Sequence, residues 1–149
     1  MDTLTVATIG FTKKSARTFF DLLRGSGADH LLDVRLHNVS QLAGFAKRDD
    51  LAYFLDTVLG WGYAHLPDLA PTQDILDAYQ KGGRHVARFQ DAYLDLLEQR
   101  RIDHYLPRAT LHRACLLCSE HLPHHCHRSF LVGWLNQKWD AELHVTHLV

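Results

Sequence analysis

Along this chain, short apolar runs of strand length alternate with longer segments whose apolar residues recur at helical spacing, and this change of period narrows the possible folds sharply. Leu4-Thr5-Val6-Ala7-Thr8-Ile9 is a β-branched run closed by Gly10, the form of a buried strand feeding a turn. Behind it Ser15 suits an N-cap, Phe19, Leu22 and Leu23 share one helical face, and Gly25 with Gly27 supplies a stop. His30 to Arg35 reads as a second strand, and positions 36–46 as a polar, irregular stretch. Leu51, Phe54, Leu55, Val58 and Leu59 then fall at i, i+3, i+4, i+7 and i+8, an amphipathic helix that Gly60 and Gly62 end. Tyr63 to Leu66 is a third strand stopped by Pro67. Thr72 caps a short helix bearing Ile75, Leu76 and Tyr79, and Gly82-Gly83 separates it from the stripe Phe89, Ala92, Tyr93, Leu96 and Leu97. Leu111 to Cys118 is a fourth strand. Arg128 to Lys138 carries a helical face of Leu131, Trp134 and Leu135, and Glu142 to Leu148 is a fifth strand.

Strands separated by helices of this length predict crossover connections and a mainly parallel sheet covered on both faces. The expected architecture is a three-layer α/β fold with five strands. It forms one domain over residues 1–149, without an internal repeat or linker. The strand order is expected to be 3-2-1-4-5. In open parallel sheets a ligand crevice lies beyond the carboxyl ends of the strands, where the connections change direction. That rule gathers Gly10 and Thr12 after the first strand, Asp33 and Arg35 at the end of the second, His65, Pro67 and Asp68 after the third, and Cys118 and Glu120 after the fourth.

Charge excludes some functions and leaves others open. Sixteen Lys and Arg stand against seventeen Asp and Glu, so no bulk cationic field marks a binder of nucleic acid or of an anionic membrane. A local basic rim from Lys13, Lys14, Lys47 and Arg48 would still suit a nucleic-acid or protein partner. No apolar run reaches the roughly 18 residues of a membrane span, and positions 1–10 lack a charged leader with a cleavage site. A cytoplasmic protein without a membrane role is expected. Three cysteines, Cys115, Cys118 and Cys126, are too few for a secreted disulfide framework and point to reduced thiols. Histidine is abundant, with twelve copies.

The segment richest in chemistry runs Cys118-Ser-Glu120-His-Leu-Pro123-His-His-Cys126-His127-Arg128-Ser129, from a strand end into a helix start. This Cys-x-Glu...Pro-x-x-Cys-His-Arg signature, with Thr8-Ile9-Gly10, Asp33-Val34-Arg35 and His65-Leu66-Pro67, resembles the domain of unknown function 488 family over nearly the whole chain. Ser40 to Phe45 and Lys47 to Leu51 look like one branch of it. The resemblance implies a small cytosolic α/β protein of a family with no settled activity. Many relatives place His and Ser where this chain has Phe11 and Thr12, and a Pro with basic residues where it has Leu36-His37-Asn38-Val39.

Three readings of the signature stand side by side. As a nucleophile site, Cys126 near a helix N-terminus would have its thiolate stabilised by the dipole, by protonated His127 and by Arg128. The spacing of the phosphatase loop, Cys and Arg with five residues between them, is absent. As a metal site, Cys118, Cys126 and one of His121, His124, His125 or His127 would supply three ligands. Cys115 and Cys118 cannot join in one site, because i and i+3 split across the two faces of a strand. In the plainest reading Cys118 is a small buried hydrophobe, Glu120 caps or pairs with Arg128, and Pro123 shapes the turn. Asp33 and Arg35 likewise offer either an ion pair that orders the crevice or a guanidinium fork for a phosphate or carboxylate.

Together these residues predict an enzyme acting on a small anionic ligand, phosphorylated or nucleotide-like, with no cofactor indicated. Cys118, Glu120, Cys126 and His127 would carry the chemistry. Gly10, Thr12, Arg35, His65 and Arg128 would hold the ligand. The alternative is a nucleic-acid or protein binding module without catalysis.

Overall fold

The computed structural model describes residues 3–37, 44–83, 85–118, 127–139 and 142–149. The chain runs β1 (Thr3–Gly10), α1 (Ala16–Arg24), β2 (His30–Asp33), α2 (Arg48–Phe54), β3 (Gly62–His65), α3 (Gln73–Lys81), α4 (Val86–Arg100), α5 (Ile102–Tyr105), α6 (Arg108–Leu111), β4 (Ala114–Cys118), α7 (His127–Lys138) and β5 (Glu142–Leu148). All five strands pair in parallel. The fold is a three-layer α/β sandwich, as the alternation of periods predicts.

Local chemistry sets the helix ends. Ser15 and Thr72 accept bonds from the backbone N–H of Thr18 and Ile75, capping α1 and α3. α2 widens into a π-helical turn over Leu55–Leu59 and stops at Gly60, whose φ of 70° is left-handed. The following Trp61 N–H reaches back to the Leu55 carbonyl at 3.1 Å, the closure that a left-handed glycine permits.

The strand order is β3-β2-β4-β1-β5, which corrects the expected 3-2-1-4-5. The connection through α1 skips one position, and β4 returns into the gap between β2 and β1. Burial explains the placement: every residue of Ala-Cys-Leu-Leu-Cys is buried, as a central strand requires, whereas Thr3 and Thr5 of β1 are exposed. β4 is also shorter than the apolar run suggests. Leu111 belongs to α6, and Arg113, at φ 62°, turns the chain into the strand.

Two cores result, one on each face. Val6, Leu32, Val34, Leu116 and Cys118 pack with Tyr93, Leu97, Leu131 and Leu135 of α4 and α7. Ala7, Ile9, Leu31, Cys115 and Leu117 pack with Phe19, Leu23, Leu51 and Leu55 of α1 and α2. Connections leaving β1 and β2 run one way along the sheet and those leaving β3 and β4 run the other, which puts their helices on opposite faces. The exit loops of β1 and β4 therefore diverge from adjacent strands, with Gly10 paired to Cys118. A crevice at that point is the expected ligand position for such a sheet.

Candidate functional site

The carboxyl end of β2 is built around a buried ion pair. Arg35 Nε and Nη2 donate to the two carboxylate oxygens of Asp33, each at 2.8 Å, and Nη2 also reaches the Ala46 carbonyl at 2.7 Å. Tyr63 Oη donates to Asp33 at 2.6 Å. The Phe11 ring lies 5.4 Å from the guanidinium. This is the ordering ion pair that Asp-x-Arg allowed, with one qualification in its donors: Arg35 Nη1 is buried and has no hydrogen-bond partner among the described residues.

Two imidazoles hold the carbonyls of the same loop. His127, the first residue of α7, donates from Nε2 to Val34 O at 2.7 Å, and His65, at the end of β3, donates from Nε2 to Arg35 O at 2.7 Å. A carbonyl only accepts, so both rings carry their proton on Nε2. Burial, reinforced by Arg128, pushes His127 down to about 4, against the opposing pull of the Val34 carbonyl and Asp33. At neutral pH it is a neutral ring, set edge-on against Tyr93 with centroids 5.4 Å apart. It therefore does not supply the positive charge expected to support a thiolate.

Arg128 is wholly buried and donates from Nη1 to Cys118 Sγ at 3.1 Å. Cys118 is disulfide-bonded, and Cys115 is the free cysteine. This corrects the expectation of reduced thiols throughout: three cysteines leave room for one pair and one free thiol. A sulfur in that state is no nucleophile until it is reduced. Glu120 and Cys126, with the histidines at 121, 124 and 125, lie outside the described residues. Among the described residues no group of three or more His, Cys, Asp or Glu can hold a metal ion.

Gly10 ends β1 beside Cys118, and Thr12 is half-buried in the loop that follows. The structure thus brings Gly10, Arg35, His65, Cys118, His127 and Arg128 to one end of the sheet. It does not bring the two arginines to one face. Arg35 packs with Phe11 and Ala46 on the α1/α2 side, while Arg128 packs against Cys118 on the α4/α7 side. The sequence could not show this, because Arg35 lies just past the end of β2 and Arg128 in the first turn of α7, and neither position is tied to one face of the sheet.

The model of the family Domain of unknown function DUF488 matches residues 15–135. The chain belongs to the DUF488 family. No curated protein and no solved structure matches it. In this DUF488 chain the electrostatics single out two residues that the motifs do not. Lys14, in the loop after β1, and His147, on β5, both lose basicity, first through burial and then through the positive charge of Arg128. Lys14 entered the sequence reading only as part of a basic rim, and His147 not at all. The one sequence signal for His147 is its place near the end of the last strand, where a parallel sheet delivers its side chains to the crevice. Among the described residues of this family member, no helix is long and apolar enough to cross a membrane.

Proposed function

We propose that this DUF488 chain binds a small anionic ligand, phosphorylated or nucleotide-like, at the carboxyl ends of β1 and β4, and acts on it as an enzyme. One observation carries the reading: the buried Arg128 guanidinium lies near enough to Lys14, in the β1–α1 loop, that its charge adds to burial in lowering the basicity of that lysine. An anion bound beside two cations at a switch point of the sheet gains from both charges. Arg35, on the other face, orders the β2 exit loop through Asp33 and the Ala46 carbonyl and does not meet the same ligand directly. His65 and His127 fix the loop that carries Arg35, so they act as positioning residues. Glu120 remains the candidate for proton transfer, and Cys118 and Cys126 are candidates for covalent chemistry only as reduced thiols.

Thermal unfolding in phosphate, pyrophosphate or AMP, against chloride at equal ionic strength, tests the binding. The wild-type midpoint is expected to rise by about 2–4 °C for each 1 kcal/mol of binding free energy. Lys14→Gln, at a half-exposed position, should lose most of that rise while folding normally. No shift with any of the three anions overturns the proposal. A shift caused only by oligonucleotides, falling steeply with salt, would favour a nucleic-acid binding module instead.

A further inference from the structure

We propose that the cavity between the β3 exit and the corner of α5 and α6 binds a small organic ammonium ion, with Asp68 as its counter-ion and Tyr105 as an aromatic face for the charge. The proposal does not rest on the anion site at the ends of β1 and β4.

Backbone bonds build this cavity. After β3 the chain folds into a 3-10 turn over Pro67–Leu69, closed by the Leu69 N–H on Leu66 O and the Ala70 N–H on Pro67 O, each at 3.0 Å. Two side chains lock the turn in place. Tyr93 Oη donates to Leu69 O at 2.6 Å, and Arg100 Nη1 donates to the carbonyls of Asp68 and Ala70 at 2.7 and 2.8 Å. The other wall comes from the α5–α6 corner, where the Leu106 N–H returns to Ile102 O at 2.9 Å and Pro107 leads into α6. Between the walls lies a volume of about 390 Å³, within the range of small-molecule sites. Leu69, Ile102 and Leu106 line it and are buried, so the carbon body of a ligand has apolar surface to cover.

The polar side chains around that surface decide which ligand it suits. They are His65, Asp68, Tyr105 and Thr110, and among the described residues no Lys or Arg lines the cavity. The Asp68 carboxylate has no ion pair or hydrogen bond among the described residues, since Arg100 takes its backbone carbonyl instead. His65 donates from Nε2 to Arg35 O, which leaves Nδ1 of the neutral ring an acceptor with no partner among the described residues. Thr110 adds a hydroxyl. Tyr105 is 73% exposed, and the face of an aromatic ring attracts a cation. A carboxylate, a ring nitrogen lone pair, hydroxyl oxygens and a ring face all favour a positively charged N–H donor. An anion there would meet Asp68 with no lining cation to offset it. The apolar surface in turn selects an amine on a carbon body over a hydrated metal ion.

Phenethylammonium, phenylpropanoate and phenylethanol share a ring and differ in charge. Each is titrated into the full chain by calorimetry, and amide nuclear magnetic resonance spectra locate the residues that respond. Phenethylammonium should bind and shift amides at positions 66–70 and 102–110, with phenylpropanoate at least about tenfold weaker. Asp68→Asn keeps the size of the side chain and removes its charge, and should weaken phenethylammonium about tenfold. Tyr105→Leu should weaken it about two- to fivefold. Both positions are exposed, so both variants should melt with the wild-type circular dichroism profile. Equal binding of the ammonium and the carboxylate, an Asp68→Asn affinity equal to wild type, responding amides confined to other elements, or no binding of phenethylammonium overturns the proposal. Binding of a lysine-rich peptide by a chain that ignores phenethylammonium overturns it as well, in favour of a protein partner.

Discussion

His127 joins helix α7 to the exit loop of β2, and its titration makes that joint sensitive to acid. In an unfolded chain the imidazole titrates near 6.5. In the fold burial holds it at about 4. Between those values the unfolded chain binds a proton that the folded chain refuses. The stability tied to the neutral ring is therefore full above about pH 6.5, declines as the pH falls through the window, and is lost below about 4. The difference amounts to about 3 kcal/mol. His127→Gln keeps a donor for Val34 and removes the titration, so urea denaturation at several pH values should show a flatter acid limb. An identical limb would mean that the ring is not held neutral. The Asp33–Arg35 pair responds differently. Asp33→Ala strands a guanidinium that is almost wholly buried, and breaking such a pair costs about 3–5 kcal/mol. Tyr63→Phe removes a single bond to the same carboxylate and should cost about 1–2 kcal/mol. Equal losses in the two variants would show that the pair is not what orders this loop.

At the scale of elements, the places where the sequence was legible are those where local chemistry decides. Ser15, Thr72 and Gly60 each sit where a cap or a left-handed turn is needed, and each does that work in the structure. Gly60→Ala places a side chain at φ 70° and should cost about 1 kcal/mol in denaturant midpoint. Gly62→Ala, at a position without close neighbours or positive φ, should cost less than Gly60→Ala, and the reverse ranking would contradict the π-turn geometry. Strand order was not legible, because the position of β4 depends on which gap the α1 crossover leaves open, and no local pattern records that. The unbroken apolar run Ala114 to Cys118 was the available clue, since only a strand covered on both sides tolerates it. The candidate site was legible as a set of strand ends and illegible as a surface. Periodicity places Arg35 and Arg128 near one rim, but neither a residue just past a strand end nor one in the first turn of a helix is tied to one face of the sheet. His147 escaped for another reason. The sequence motifs cluster on β1, β2, β3 and β4, whereas β5 contributes by pairing with β1 across more than one hundred residues of chain, with Thr8 opposite His147.

On the scale of the whole molecule, the sheet separates two cores whose only shared layer is the set of strands, and Cys115 and Cys118 sit back to back across it. Cys118 faces the α4/α7 core and Cys115 the α1/α2 core. Burial pushes the Cys115 thiol far above its usual range, beyond what the nearby Arg128 charge can offset. Reaction with iodoacetamide requires a thiolate and access, and native Cys115 has neither. Because it lies in the central strand, with β1 on one side and β2 on the other, no fraying of an edge exposes it. Its alkylation must follow the opening of the whole domain. A domain stable by about 5 kcal/mol or more is open less than about one time in a thousand, so the native protein should be modified at Cys115 at least about a thousandfold more slowly than the same chain in urea. Peptide mass spectrometry resolves which cysteine reacts. The rate at Cys115 is expected to rise with urea along the same slope as the circular dichroism transition, since both then report one cooperative opening. If the rate rises well before the transition, the α1/α2 layer opens by itself, and the two cores flanking the sheet do not melt as a unit.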